Sequence, residues 1–237
     1  MSKGWPASGG GRWLEVAPER IARWLAGFGE RHGGVTGVAR GPRTVRFTAA
    51  DTATAECHVP FPPLAPRSPG ETGPAGSAGE ADEAGEAVRA LAGHACRDRL
   101  VGVLLVRLGG HAAGVFDGER LVASKVGARP VHGRSAAGGW SQHRFARRRG
   151  NQVREALADA ANSAVRVLEP HLVGLEAVVL GGDRRALDEL RAEPRLRPVF
   201  ALASGPVLTV PDPRLAVLRE TPRSFRSVRI RLDEPPA

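Results

Sequence analysis

A chain of 237 residues and 25.0 kDa, 42% of it hydrophobic, can hold one large domain or two small ones around a sizeable core. No apolar run approaches the roughly 18 residues of a membrane span, and the opening stretch MSKGWPASGGGRW lacks the apolar segment of a secretory signal. Cys57 and Cys96 are too few for a disulfide framework, so the composition excludes a secreted disulfide scaffold and predicts a cytoplasmic protein with no membrane contact.

The first elements predict a small α+β domain over residues 1–61. RWLEV (12–16) reads as a strand, and Pro18 opens a helix in which Ile21, Trp24, Leu25 and Phe28 recur at three- and four-residue steps until Gly33-Gly34. Two alternating stretches follow, Thr44 to Thr48 and Ala55 to Phe61, and Trp13, Trp24 and Phe28 are expected in this domain's core. Residues 62–96 begin PPLAPRSPGETGPAGSAGEADEAGEAV, with almost no large apolar residue; such a segment cannot offset its ordering entropy by burial and is predicted to be a flexible linker.

A second domain is predicted over 97–237. LVGVLLVRL (100–108) is a continuous apolar run of strand length, and AAGVFDGERLVASKV is a hairpin turned at Asp117-Gly118. A further strand is expected over Lys125 to His132. A glycine-rich loop then leads into a long helix carrying Phe145, Val153, Leu157, Ala161, Ala164 and Leu168, which ends before Pro170. LEAVVLGG reads as a buried strand, DRRALDELRAE as a helix opened by Asp183 and closed at Pro194, and GPVLTV and SVRIRL as strands. Strands interleaved with helices predict an α/β (α+β) fold with a mixed sheet.

The net charge of +9 has a location. Between Arg120 and Arg154 lie nine cations (Arg120, Lys125, Arg129, Arg134, Arg144, Arg147, Arg148, Arg149 and Arg154) and no acid, leaving the remaining twenty-five cations balanced by twenty-five acids. An excess confined to one segment is the footprint of a phosphate-binding surface. Within it, GGWSQHRFARRR (138–149) crowds arginines into the first turns of a helix, where the macrodipole is already positive and neighbouring like charges repel. Each such term costs a few tenths of a kcal/mol, and a bound polyanion reverses its sign. Gly138 and Gly139 accept positive φ and permit close backbone approach. Gln142 does not titrate; it can orient a water through its amide and offer a backbone N–H to a developing oxyanion.

GGWSQHRFARRR resembles the loop and helix start of the catalytic domain of archaeal and eukaryotic class I release factors, with Arg144-Phe145-Ala146-Arg147 matching the helix start. With the helix aligned, Trp140 stands where the release-factor glutamine belongs, and Gly139-Trp140-Ser141-Gln142 instead fits the G-x-x-Q pattern of the Vms-like release factors, most similar to their actinobacterial-type branch. The resemblance covers about residues 97 to 235 and includes GGHAAGVFDGERLVASKVGARPVHGRSAAGGWSQ. It implies a fold related to ribonuclease H and a cofactor-free peptidyl-tRNA hydrolase that acts as a monomer on stalled ribosomes or large subunits. By the same resemblance Gln142 positions water, or assists the terminal ribose hydroxyl, at the ester between nascent chain and transfer RNA. Gly138 and Gly139 permit the approach; Arg134, Arg144, Arg147, Arg148 and Arg149 hold ribosomal or transfer RNA phosphates, with Trp140 and Ser141 at the RNA. No counterpart of the codon-reading domain, ankyrin repeats or zinc finger of relatives is evident, so stop-codon decoding is not expected. Whether the family's chemistry cuts the ester or the transfer RNA near its 3′ end stays open.

Three other chemistries find weaker support in the residues. Cys57-His58 and His94-x-Cys96 could meet as a zinc site, but their spacing matches no common finger. A metal-dependent nuclease needs a carboxylate inside the first strand; LVGVLLVRL has none, and Asp98, Asp117 and Glu119 flank it or fit a turn. A serine hydrolase elbow is absent around Ser141 and His143, and His94, His111, His132 and His171 are scattered. A non-catalytic ribosome-binding factor anchored by the arginines alone remains the contrasting reading.

Overall fold

The computed structural model describes residues 4–66, 80–107, 109–128 and 141–235, with the backbone alone at 80–82 and 141–149. The fold is mixed α/β with two sheets, divided between a unit of residues up to Arg97 together with those from Arg223, and a unit from Asp98 to Pro222.

In the first unit the strands are β1 (Gly4–Pro6), β2 (Arg12–Val16), β3 (Val35–Arg40), β4 (Thr44–Ala49) and β5 (Thr54–His58), with helices α1 (Ile21–Arg31) and α2 (Glu80–Cys96). A 3-10 turn at Pro18–Arg20 leads into α1, as proline at a first-turn position favours. Gly33 and Gly34 take positive φ, and the Gly34 N–H donates to the Gly29 carbonyl at 2.8 Å, closing the helix with the left-handed step that glycine makes cheap. The antiparallel sheet has the order β1-β2-β10-β5-β4-β3, where β10 is the C-terminal strand Val228–Asp233. Alternation along the strands sends Leu14, Val16, Val45, Phe47, Ala55, Cys57, Val228, Ile230 and Leu232 into one core with Ile21, Leu25, Phe28 and Leu91.

Two expectations are corrected here. SVRIRL forms β10, but it inserts between β2 and β5 of the first sheet rather than belonging to a domain of residues 97–237. Its alternation reports a half-buried strand and nothing about which sheet receives it. The stretch expected as a flexible linker contains α2, because Ala84, Ala87, Leu91 and Ala95 recur at three- and four-residue steps and are buried. Averaged composition hid this stripe of small residues. Residues 67–79 of that stretch lie outside the described residues.

In the second unit β6 (Leu100–Arg107), β7 (Gly110–Asp117), β8 (Arg120–Ala128) and β9 (Ala177–Gly182) form a sheet of order β8-β7-β6-β9. β6 and β7 are antiparallel and β9 runs parallel to β6. Both central strands are almost wholly buried, as their unbroken apolar sequences require. One face carries Leu104, Val106, Ala113, Val115, Val178 and Leu180 against α3 (Ser141–Leu168) and α4 (Arg184–Arg191). The other takes Leu218 of α6 (Leu215–Phe225) over Gly114, where a methyl group would stand 2.9 Å from a Leu218 methyl. A short helix α5 (Arg197–Ala201) adds Val199 and Phe200 to the core.

The turn Asp117-Gly118 joins β7 to β8, with Gly118 at φ 60°. Lys125 to Ala128 prolong β8 instead of starting a further strand, and the expected remainder to His132 lies outside the described residues. GPVLTV is not a strand: only Leu208 bridges β9, accepting from Gly182 at 2.9 Å and donating to Leu180 at 2.8 Å. Pro206, lacking an N–H, precludes a continuous ladder there. Asp183 caps α4, its carboxylate accepting from the Arg185 N–H at 3.0 Å.

Candidate functional site

The candidate site is defined by the start of α3. The helix begins at Ser141 and places Gln142, Arg144, Arg147, Arg148 and Arg149 in its first three turns. Its fully buried residues, among those whose side chains are described, lie toward the opposite end: Ala160, Ala161, Ala164, Val167 and Leu168 are buried against β6 and β7. Between residues 150 and 159 no side chain is fully buried. At a rise of 1.5 Å per residue, Gln142 stands about 27 Å along the axis from Ala160, the first fully buried position after residue 150. Half-buried Val153 and Leu157 continue the apolar stripe toward the start of the helix, and Leu157 packs on the same core.

Polar contacts hold the packed half in place. His111 Nε2 of β7 and Ser163 Oγ of α3 share a hydrogen bond of 2.9 Å, and both residues are buried. Arg195 Nη1 donates to Asn162 Oδ1 at 3.0 Å. Burial holds the His111 imidazole below its ordinary value of 6.5; the Asp159 carboxylate opposes this and Lys125 reinforces it. Sequence spacing gives no sign of the His111–Ser163 pair, since its members are 52 residues apart.

Gly127 of β8 makes room for this ring, because a methyl group there would overlap the imidazole. Gly127→Ala is therefore expected to lower stability by about 1–3 kcal/mol, as overpacking of a tight core does, measurable by urea unfolding. A pH effect follows from the same ring. The folded state favours neutral His111, whereas the unfolded chain takes up a proton near pH 6.5, so stability is full above that value and falls on acidification. His58, also held low chiefly by burial, adds in the same direction. His111→Gln is expected to reduce the stability lost between pH 7.5 and pH 5, read from unfolding midpoints at both values.

Of the expected site residues, Arg134, Gly138, Gly139 and Trp140 lie outside the described residues. For Ser141, Gln142, Arg144, Arg147, Arg148 and Arg149 the helical backbone is described. A helix start leaves its first four N–H groups without intrahelical partners, and these favour an anion. No acid occupies the first turn of α3. Among the other cations of the basic segment, Arg120 Nη2 pairs with Asp117 at 2.7 Å on an exposed surface, and the Arg154 side chain bonds Asn151.

The sulfur and imidazole groups that could suggest zinc do not converge. Cys57 is buried in the first unit's core, where burial pushes its thiol up, while His58 points to the opposite face of β5. His94 Nε2 lies 2.9 Å from the Pro60 carbonyl oxygen. Among the described residues no three His, Cys, Asp or Glu are grouped to hold a metal, and no described helix is long and apolar enough to cross a membrane.

Residues 99–231, more than half of the chain, match the family described as Actinobacteria/chloroflexi VLRF1 release factor. The match begins before β6 and ends within β10, so it takes in a strand of the first sheet. No curated protein matches the chain. Similar solved structures include an archaeal translation termination factor, at 13% identity over 76% of this chain and 51% of that one, with a TM-score of 0.39. Another is titled Vms1 mitochondrial localization core, at 10% identity over 84% of this chain and 79% of that one, with a TM-score of 0.33. The chain thus spans about half the length of the archaeal factor. With the basic, acid-free start of α3 inside the matched region, the chain belongs to the Actinobacteria/chloroflexi VLRF1 release factors.

Proposed function

We propose that the chain is a peptidyl-tRNA hydrolase that frees nascent chains from stalled ribosomes or large ribosomal subunits in the cytoplasm, as a step of ribosome-associated quality control and ribosome rescue. The observation that supports this reading is the place of Gln142 in the first turn of α3, on one helix start with Arg144, Arg147, Arg148 and Arg149 and with no acid in that turn, in a chain of the release-factor family. A glycine-rich approach suits entry into a narrow ribonucleic-acid cavity, and a neutral tip avoids repulsion or trapping by phosphates on the way.

In this scheme Arg134, Arg144, Arg147, Arg148 and Arg149 bind phosphates of ribosomal or transfer RNA, and Trp140 stacks on a base beside Ser141. Gly138 and Gly139 let the backbone approach the 3′ end. The Gln142 amide orients a water toward the ester carbonyl, and a backbone N–H meets the oxyanion as it forms. The carbon–oxygen bond to the ribose breaks, the ribose oxygen takes the proton from water, and the products are a free peptide carboxyl and a transfer RNA with its terminal hydroxyl restored. Positioning and oxyanion stabilisation supply the catalysis, with no titrating side chain and no cofactor assigned.

The reading is tested by incubating the full chain with purified large subunits that carry a labelled nascent peptidyl-tRNA. Conversion of the label to free peptide is expected. Stable binding without conversion would instead establish a non-catalytic ribosome-binding factor.

A further inference from the structure

We propose that β10 is the latch of the first unit: the second unit folds first, β10 closes the first unit last, and the first unit opens by releasing β10 while the second stays folded. This follows from strand order and stands apart from the hydrolase reading.

The sheet order β1-β2-β10-β5-β4-β3 sets the last strand of the chain between two of the earliest. Val228 stands opposite Val16 and Ile230 opposite Leu14 on one side; on the other, Ile230 stands opposite Cys57 and Leu232 opposite Ala55. β2 and β5 do not pair with each other, so without β10 the sheet separates into β1-β2 and β5-β4-β3. A two-stranded piece such as β1-β2 is marginal in water. Val228 and Ile230 are wholly buried and Leu232 nearly so, in one core with Leu14, Val16, Ala55 and Cys57. Removing β10 therefore opens that core along its middle and leaves two strand edges without partners. The alternate residues of these strands face the other way, so Trp13, expected in the core, lies outside it and is half-buried.

The second unit needs no such strand. All of β6 to β9 and α3 to α5 lie between Asp98 and Pro222. β6, β7 and β8 pair in chain order, and the crossover that brings Ala177 opposite Val101 is short beside the one that brings Val228 opposite Val16. Closing a longer loop costs more entropy before any pairing offsets it, and non-local pairings form slowest. Chains ordinarily complete their N-terminal unit first during synthesis. Here that order is reversed, because the N-terminal unit waits for residues 228–233.

The latch carries its own reporter. Cys57 lies against β10 in the closed core, where burial pushes its thiol up, and Cys96 is exposed. A buried, protonated thiol is inert, so Cys57 reacts when β10 leaves.

The test uses the full chain in a urea series, with iodoacetamide labelling and hydrogen exchange read on the same peptides by mass spectrometry. Cys96 is expected to label at once. Cys57 is expected to label slowly, at a rate that rises with urea while the amides of β6 and β7 remain protected, and the amides of β2, β5 and β10 are expected to exchange together with it. Ile230→Ala is expected to speed Cys57 labelling by about thirtyfold or more, as loss of a buried isoleucine does, with β6 and β7 protected as in wild type. In pulse-labelled refolding of the wild-type chain, β6 and β7 are expected to gain protection before β2, β5 and β10, a readout independent of how any variant folds. Cys57 labelling only at or beyond the urea concentration where β6 and β7 lose protection would overturn the proposal. So would protection of β2 and β5 before or together with β6 and β7 on refolding, or unchanged Cys57 labelling in Ile230→Ala.

Discussion

Gln142→Ala is expected to reduce nascent-chain release by roughly a hundred- to a thousandfold, the loss typical of removing one preorganised group at an oxyanion or attacking water, while large-subunit binding stays within about twofold, since no RNA phosphate loses its cation. Gln142→Glu is expected to fail as well, because a carboxylate at the tip faces the phosphates that the arginines are placed to hold. A neutral amide does not change charge with pH, so Gln142 contributes no inflection to the release profile. Single-turnover release with saturating protein separates the loss of chemistry from the loss of binding. Equal losses of release and binding in Gln142→Ala would show that the residue anchors the loop and leave it without a chemical role.

The complementary variant removes the charges behind the tip. Neutralising Arg147, Arg148 and Arg149 together to Gln is expected to weaken large-subunit binding by a hundredfold or more at moderate salt, and to flatten the dependence of log affinity on log salt by about 2 to 3, near one for each phosphate left without its arginine. At saturating protein its release rate is expected to approach wild type, since the tip is intact. The substitution should also relieve repulsion at the start of α3, where like charges and the helix dipole act together. Unchanged or raised thermal stability beside weakened binding is the pattern that separates an RNA-facing charge cluster from a structural one.

Legibility in the sequence follows the range of the forces involved. α3 is readable from Ser141 to Leu168 because a single apolar stripe runs down its second half and Pro170 ends it. The Asp183 cap and the Asp117-Gly118 turn are readable because both act within a few residues. The receiving sheet of β10 is not: Val228, Ile230 and Leu232 fit a half-buried strand anywhere, and their partners Leu14 and Cys57 lie far away in the chain. α2 is hidden because its buried residues are mostly alanine, which a composition-based reading counts with the glycine and acid around it. Trp13 escapes correct placement for a related reason. Strand alternation assigns it to one face of β2, but only the register with Trp5 and Arg231 shows that this face is the open one.

The start of α3 lies between these cases. Its charge, its helical phase and its glutamine are local features and can be read directly. Where the helix meets the sheet cannot be read in the same way, because it is set by Ser163 and the alanine stripe of α3 against His111 and its neighbours on a distant strand.

The most direct measurement of the central claim is the state of the transfer RNA after release: labelled nascent chains on purified stalled large subunits are treated with the protein, and the 3′ end of the freed transfer RNA is sequenced and tested for recharging. Ester hydrolysis by the Gln142 tip predicts an intact 3′ end that accepts an amino acid again, in the wild-type reaction and not with Gln142→Ala. A transfer RNA shortened at its 3′ end would contradict the account and make the protein a nuclease.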